Sequence, residues 1–344
     1  MATMKKSRAS KENEMDRLSD LPDSLIHHIL SSLNTKNAVQ TCVLSKRWSH
    51  LWTCLPSLNF DSQSFKYLTS FKKFVLHVLS RREPSNLHSL KFHSCSSDKT
   101  FIGRVICYAV SHSVQEIYMD RTIHPAYRLL SSTSLRTLHL ENCSLFGDHF
   151  SRCLNLENLF IDRCFISVEH KVIKISGPRL VAVNISRVTQ IGYESETYAY
   201  TLVVSSPRLS SFCYQGSCPS ALSMEGCSIL DRVNIGLSVH EEKQEFRTFL
   251  KNTLQGVILH AKLLTIEWKE GLMIKTALRN NDVHAIIYNE ATKEERNLCW
   301  KAANENFELF FEWIFAKMEI KSSPNNINAD FWRYSAVFHM AAQV

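Results

Sequence analysis

The residues most able to do chemistry are the cysteines and histidines, 11 and 15 of them in 344 positions. A zinc site would need them at short, regular spacing, and neither a C-x-x-C pair nor a repeated Cys/His interval occurs. His27 and His28 lie side by side in an apolar periodic stretch with no ligand nearby in sequence, which predicts a solvated or partly packed pair. Cys42 and Cys54 stand among large apolar groups, where burial keeps a thiol protonated and unreactive. Phosphate chemistry would need G-x-x-x-x-G-K-S/T or G-x-G-x-x-G, and acyl transfer a G-x-S-x-G elbow; none is present. Nine glycines leave little material for loops that cradle phosphate. The expectation is a chain with no catalytic residue, no metal and no cofactor, which acts by binding.

Composition supports that class. Hydrophobic residues make up 44% and charged residues 21%, as in an ordinary globular protein. A net charge of +7, without a dense basic block outside the N-terminal tail, does not argue for nucleic acid, and none is expected as partner. No run of 18 apolar residues exists, and the N-terminus lacks a hydrophobic signal core, so no membrane is expected. An odd set of unpatterned cysteines fits free thiols in a reducing compartment, the cytoplasm and/or the nucleus. The length suits two or three domains.

The elements follow from spacing. Residues 1–15 are polar, basic and aperiodic, and read as a disordered tail. In residues 16–56, Leu18, Leu21, Leu25, Ile29 and Leu33 fall on one helical face behind Pro22, with Ser19 or Asp20 as cap. Asn34 and Thr35 offer a second cap. Leu44, Trp48, Leu51, Trp52 and Leu55 recur at helical steps until Pro56. Three short helices result, with more large apolar groups than they can cover alone, so a second surface is required. Residues 57–85 read as a linker: a strand at Leu58 and Phe60, then a helix with Phe71, Phe74, Val75, Val78 and Leu79 on one face, closed by Arg81, Arg82 and Pro84.

Residues 86–271 carry a repeat. Leu135 to Cys143 and Leu156 to Cys164 both read L-x-x-L-x-L/I-x-x-C, 21 residues apart. The same register finds starts at Leu87, Val114, Leu180, Leu209, Leu230 and Leu263, separated along the chain by 27, 21, 21, 24, 29, 21 and 33 residues. One such strand cannot bury its apolar face alone, so consecutive copies must stack. Cys95, Cys143 and Cys164 fall where a small side chain turns inward after the strand. Residues 272–344 remain a cap or an unassigned segment. Within them Glu305 to Ile320 shows helical spacing, and its glutamates and Lys317 count against membrane attachment.

The run Leu18, Leu21-Pro22-Asp23, Leu25-Ile26, Ile29-Leu30, then Cys42 to Trp48 and Leu51-Trp52, closely resembles a plant-type F-box, with Ser24 where many members carry Glu. The repeats resemble the irregular leucine-rich repeats behind such F-boxes, including Gly-Pro-Arg-Leu at 177–180 and Ser-Pro-Arg-Leu at 206–209. The resemblance implies an α+β or α/β solenoid chain: a three-helix F-box, then an irregular leucine-rich-repeat solenoid of about eight strands. It implies docking on a Skp-type adaptor, and through it a cullin, with Leu21, Pro22, Leu25, Ile29, Val43, Leu44, Trp48 and Trp52 forming or supporting the docking face. The repeats would then hold an unknown protein substrate for ubiquitination, and no cofactor is needed. A repeat scaffold without ligase coupling is the alternative. A DNA reader using Lys46, Arg47 and His50 is a third, with few basic residues for phosphate.

Overall fold

The computed structural model describes residues 21–301 apart from 84, 121–131, 146–149, 168–170, 192–199, 218, 229, most of 238–260, 269–271, 280–281 and 290–293. The N-terminal tail, Leu18, the proposed caps Ser19 and Asp20 and the helical spacing at Glu305 to Ile320 lie outside the described residues.

Three short helices open the chain. α1 (Asp23–Ser31) starts at Pro22, whose carbonyl accepts from the Leu25 and Ile26 amides at 3.0 and 3.1 Å. α2 (Thr35–Gln40) is capped by Asn34, whose Oδ1 accepts from the Asn37 amide at 2.8 Å. α3 (Trp48–Leu51) is shorter than the spacing predicts, because single 3-10 turns at Thr41–Val43 and Trp52–Cys54 take up the rest. Ile26, Leu30, Ala38, Trp48 and Trp52 face inward. α4 (Leu68–Arg81) buries Phe71, Val75 and Val78, as its period predicts.

The strands in chain order are β1 (Ser57–Asp61), β2 (Ser89–His93), β3 (Glu116–Asp120), β4 (Thr137–Glu141), β5 (Ser144–Leu145), β6 (Asn158–Asp162) and β7 (Phe165–Ser167). They continue as β8 (Val172–Ser176), β9 (Ala182–Ile191), β10 (Thr201–Ser205), β11 (Ser211–Gly216), β12 (Ala221–Met224), β13 (Leu230–Leu237) and β14 (Ala261–Trp268). β1, β2, β3, β4, β6, β9, β11, β13 and β14 lie side by side in that order, all parallel, in one open sheet. The second apolar positions of successive repeats meet in register: Leu90 pairs with Ile117, Ile117 with Leu138, and Leu138 with Leu159. All are buried on the inner face. Parallel strands joined by crossovers need cover on that face.

Two kinds of cover are used. Behind the first strands lie α4 and a helix absent from the sequence reading, α5 (Lys99–Ser111), capped by Asp98, whose Oδ1 accepts from the Thr100 and Phe101 amides. Phe71, Phe92 and Phe101 form a ring cluster with centroids 5.9–6.1 Å apart. Farther on, short strands replace the helices. β5 pairs with β7, and β8, β10 and β12 form a parallel sheet of their own. After β14 the pairing turns antiparallel: β15 (Leu272–Arg279), β16 (Asp282–Asn289) and β17 (Glu294–Lys301) add as a meander within the segment that the sequence left unassigned.

Two repeat assignments need correction. In the last copy Leu264 and Ile266 pair with Val233 and Ile235, and Ala261 takes the opening position opposite Leu230. Leu263, which the sequence placed there, is 49% exposed. Alanine at the true opening leaves too weak a hydrophobic mark to set the register. Cys95 is exposed as well, while the neighbouring Ser94 is fully buried; the inward turn therefore falls one residue earlier than at Cys143 and Cys164, both buried.

Candidate functional site

α1 has two apolar stripes. Ile26 and Leu30, four residues apart, close the inner one with no exposure. Leu25 and Ile29, the neighbouring pair, stand outward at 50% and 41% exposed. Across from them, the turn after α2 leaves Val43 84% and Leu44 56% exposed. Aliphatic groups in water are unfavourable by about 25 cal/mol per Å², and a cluster on one small bundle marks an interaction face.

The turn is held to α1 by charge. The Arg47 Nε donates to Asp23 Oδ1 at 2.8 Å, and a terminal guanidinium nitrogen bonds the same oxygen. Asp23 also sits in the first turn of α1, where a carboxylate complements the helix dipole. The bundle is tied to the ladder of parallel strands from below. Thr35 Oγ1 accepts from the Asn59 amide of β1 at 2.7 Å, occupying part of what would be an open sheet edge. Buried Arg82 donates to the carbonyls of Leu55, at 2.6 Å, and Ser85, at 3.1 Å.

The eight residues named from the sequence separate into three groups. Leu25, Ile29, Val43 and Leu44 are exposed. Pro22 is exposed and Leu21 partly buried against the core. Trp48 and Trp52, 3% and 7% exposed, belong to the chain's own interior. Trp48 in α3 and Trp52 in the 3-10 turn after it are sealed within the chain itself, so neither ring is part of the outward apolar face. His27 is partly buried and His28 exposed, and among the described residues no group of three metal-ligating side chains gathers. Among the same residues no helix is long and apolar enough to cross a membrane.

The open face of the ladder holds features that sequence reasoning missed. Its strand-end carboxylates are clasped one repeat along. Asn142 Nδ2 donates to Asp120 at 2.7 Å, Arg163 pairs with Glu141, and Arg187 Nε donates to Asp162 at 2.8 Å. The three clasping residues have φ of 51°, 49° and 51°, the left-handed region that non-glycine residues enter at some cost. Burial alone would raise the Asp162 pKa; hydrogen bonds from Arg187 and Ser186 outweigh it and hold the carboxyl below its ordinary value. The signal was present as an acid at the end of three consecutive strands: Asp120, Glu141 and Asp162. Burial leaves two of the thiols inert: Cys153 is pushed up to about 11 by desolvation, and Cys164 is raised by its hydrogen bond with Cys143 and by burial.

Fold and site together define a small helical bundle with an outward apolar face, seated on the edge of a parallel strand ladder. The family model for the F-box domain matches residues 18–59. A putative F-box/FBD/LRR-repeat protein of Arabidopsis thaliana is 36% identical over 204 residues, covering 49% of this chain and 47% of the relative. A second F-box/FBD/LRR-repeat protein of that plant is 36% identical over 184 residues, 48% of this chain and 41% of its own. F-box/LRR-repeat protein 25 of Arabidopsis thaliana is 32% identical over 171 residues, 47% of this chain and 64% of its own. Over about half its length the chain is similar to plant F-box/LRR-repeat proteins, and residues 18–59 match the F-box. It spans about half the length of the first curated relatives it matches.

Proposed function

We propose that this chain is a substrate-recognition subunit of a Skp–cullin–F-box ubiquitin ligase, working in the cytoplasm or nucleus. Leu25, Ile29, Val43 and Leu44 bury against a Skp-type adaptor, with Pro22 and Leu21 at the margin and Trp48 and Trp52 holding the face rigid. The ladder is a leucine-rich-repeat solenoid on this reading, and its open face receives the target protein. Catalysis belongs to other subunits; this chain raises the local concentration of target near the transferred ubiquitin. The observation that carries the reading is the outward apolar set, 41–84% exposed, on a bundle matching the F-box.

Capture on a purified Skp-type adaptor tests it. Leu25→Asp and Val43→Asp should each weaken capture by tenfold or more with the fold intact. Undiminished capture by both would leave the rival, a leucine-rich-repeat scaffold without ligase coupling.

A further inference from the structure

On the outer side of β11, β13 and β14 the open face sinks into a hollow of about 350 Å³. Its floor is low because Gly236 has no side chain and Cys213 and Thr265 are small. Gln215 closes over the glycine, where an added Cβ would meet its Cγ at 3.2 Å. Gln215, Asn234 and Thr265 line the hollow and make no side-chain hydrogen bond among the described residues. Arg232 stands at one end and Glu267 at the other, both exposed and neither in an ion pair among those residues. Nearby charges behave otherwise: Asp231 is paired with Lys262 at 2.7 Å, and Asp162 with Arg187.

Register sets the spacing. Arg232 pairs with Leu263 and Glu267 with Gly236, so the charges lie four residues apart along adjacent strands. At about 3.3 Å per residue that is about 13 Å, the span of side chains four apart in an extended peptide. Donors and acceptors without a partner among the described residues, set between two opposite charges, match a polar ligand of complementary polarity.

We propose that this hollow binds an extended segment of the target protein carrying a carboxylate for Arg232 and, four residues away, a cation for Glu267. This deepens the reading that the open face receives the target and rests on it. Exposed ion pairs are weak singly, so the site contributes selectivity within a larger contact.

Cys213 in the hollow permits a tethering test on the full chain. Extended pentapeptides with a mid-chain thiol, ends Glu/Lys, Glu/Glu or Lys/Lys, compete for reversible disulfide formation with Cys213, read by peptide mapping. The Glu/Lys peptide should conjugate about three- to fivefold better than either like-charge peptide, with the preference fading in high salt. Arg232→Glu should transfer the preference to Lys/Lys, and Glu267→Gln should weaken it. Equal conjugation of all three, or a preference untouched by both variants, overturns the proposal. Adaptor capture is measured on the same samples: its loss indicts the ligase reading, while its persistence with indifferent tethering indicts the hollow alone.

Discussion

Leu25 and Trp48 are both large apolar residues in the same forty-residue motif, and opposite outcomes are expected from replacing them. Leu25 is half exposed, so Leu25→Ala should leave the melting temperature nearly unchanged and act on adaptor capture. Trp48 is sealed in the core, so Trp48→Ala should cost about 3–5 kcal/mol of stability, measured by urea unfolding. Asp162 gives a second residue-scale expectation. Its folded carboxyl titrates below the ordinary value of 3.8, so its clasp stabilises fully above that value. The contribution is lost as pH falls through the lowered folded value. Asp162→Asn should cost about 1–3 kcal/mol at neutral pH and flatten the acid limb of the stability curve.

The strands carry their own pH dependence. Tyr118, His139 and Phe160 follow one another in register on the outer face, and the His139 and Phe160 rings stack 4.2 Å apart at 3°. Burial lowers the His139 pKa from 6.5, with Glu116 opposing and Lys91 assisting. The unfolded chain therefore takes up the proton first, and stability should fall as pH drops from 6.5 towards the lowered folded value. His139→Phe should remove that slope and keep the stack, as thermal melts across this window would show. α5 depends on its cap in a simpler way. Asp98 holds two amides and pairs with Lys72 at 2.7 Å, so Asp98→Ala should loosen the start of α5 and speed amide exchange in its first turn. The repeat template reads strands well because each states its period in five residues. It does not announce what fills the gap between strands, which is how α5 and the sheet of β8, β10 and β12 escaped notice.

At the scale of the molecule, Arg82 couples bundle to ladder through carbonyls on Leu55, Ser85 and Asn86. Arg82→Gln should loosen that junction, with the bundle's amides exchanging ahead of the ladder's in hydrogen-exchange measurements. The sequence alone determined the three-helix motif, the order of the strands and the inner residues from Leu90 to Ile235, because a period of two or of 3.6 is written locally by side-chain type. It also foretold that the first helices carry surplus apolar surface. Only the tertiary structure decided where that surplus lies. Leu25 and Val43 stay in solvent while Trp48 and Trp52 do not, because exposure is settled by which neighbour packs first. The same holds for Leu263, for the clasps on Asp120, Glu141 and Asp162, and for the hollow between Arg232 and Glu267. Each depends on register between strands that lie 20 or more residues apart in the chain, and no local pattern encodes that alignment.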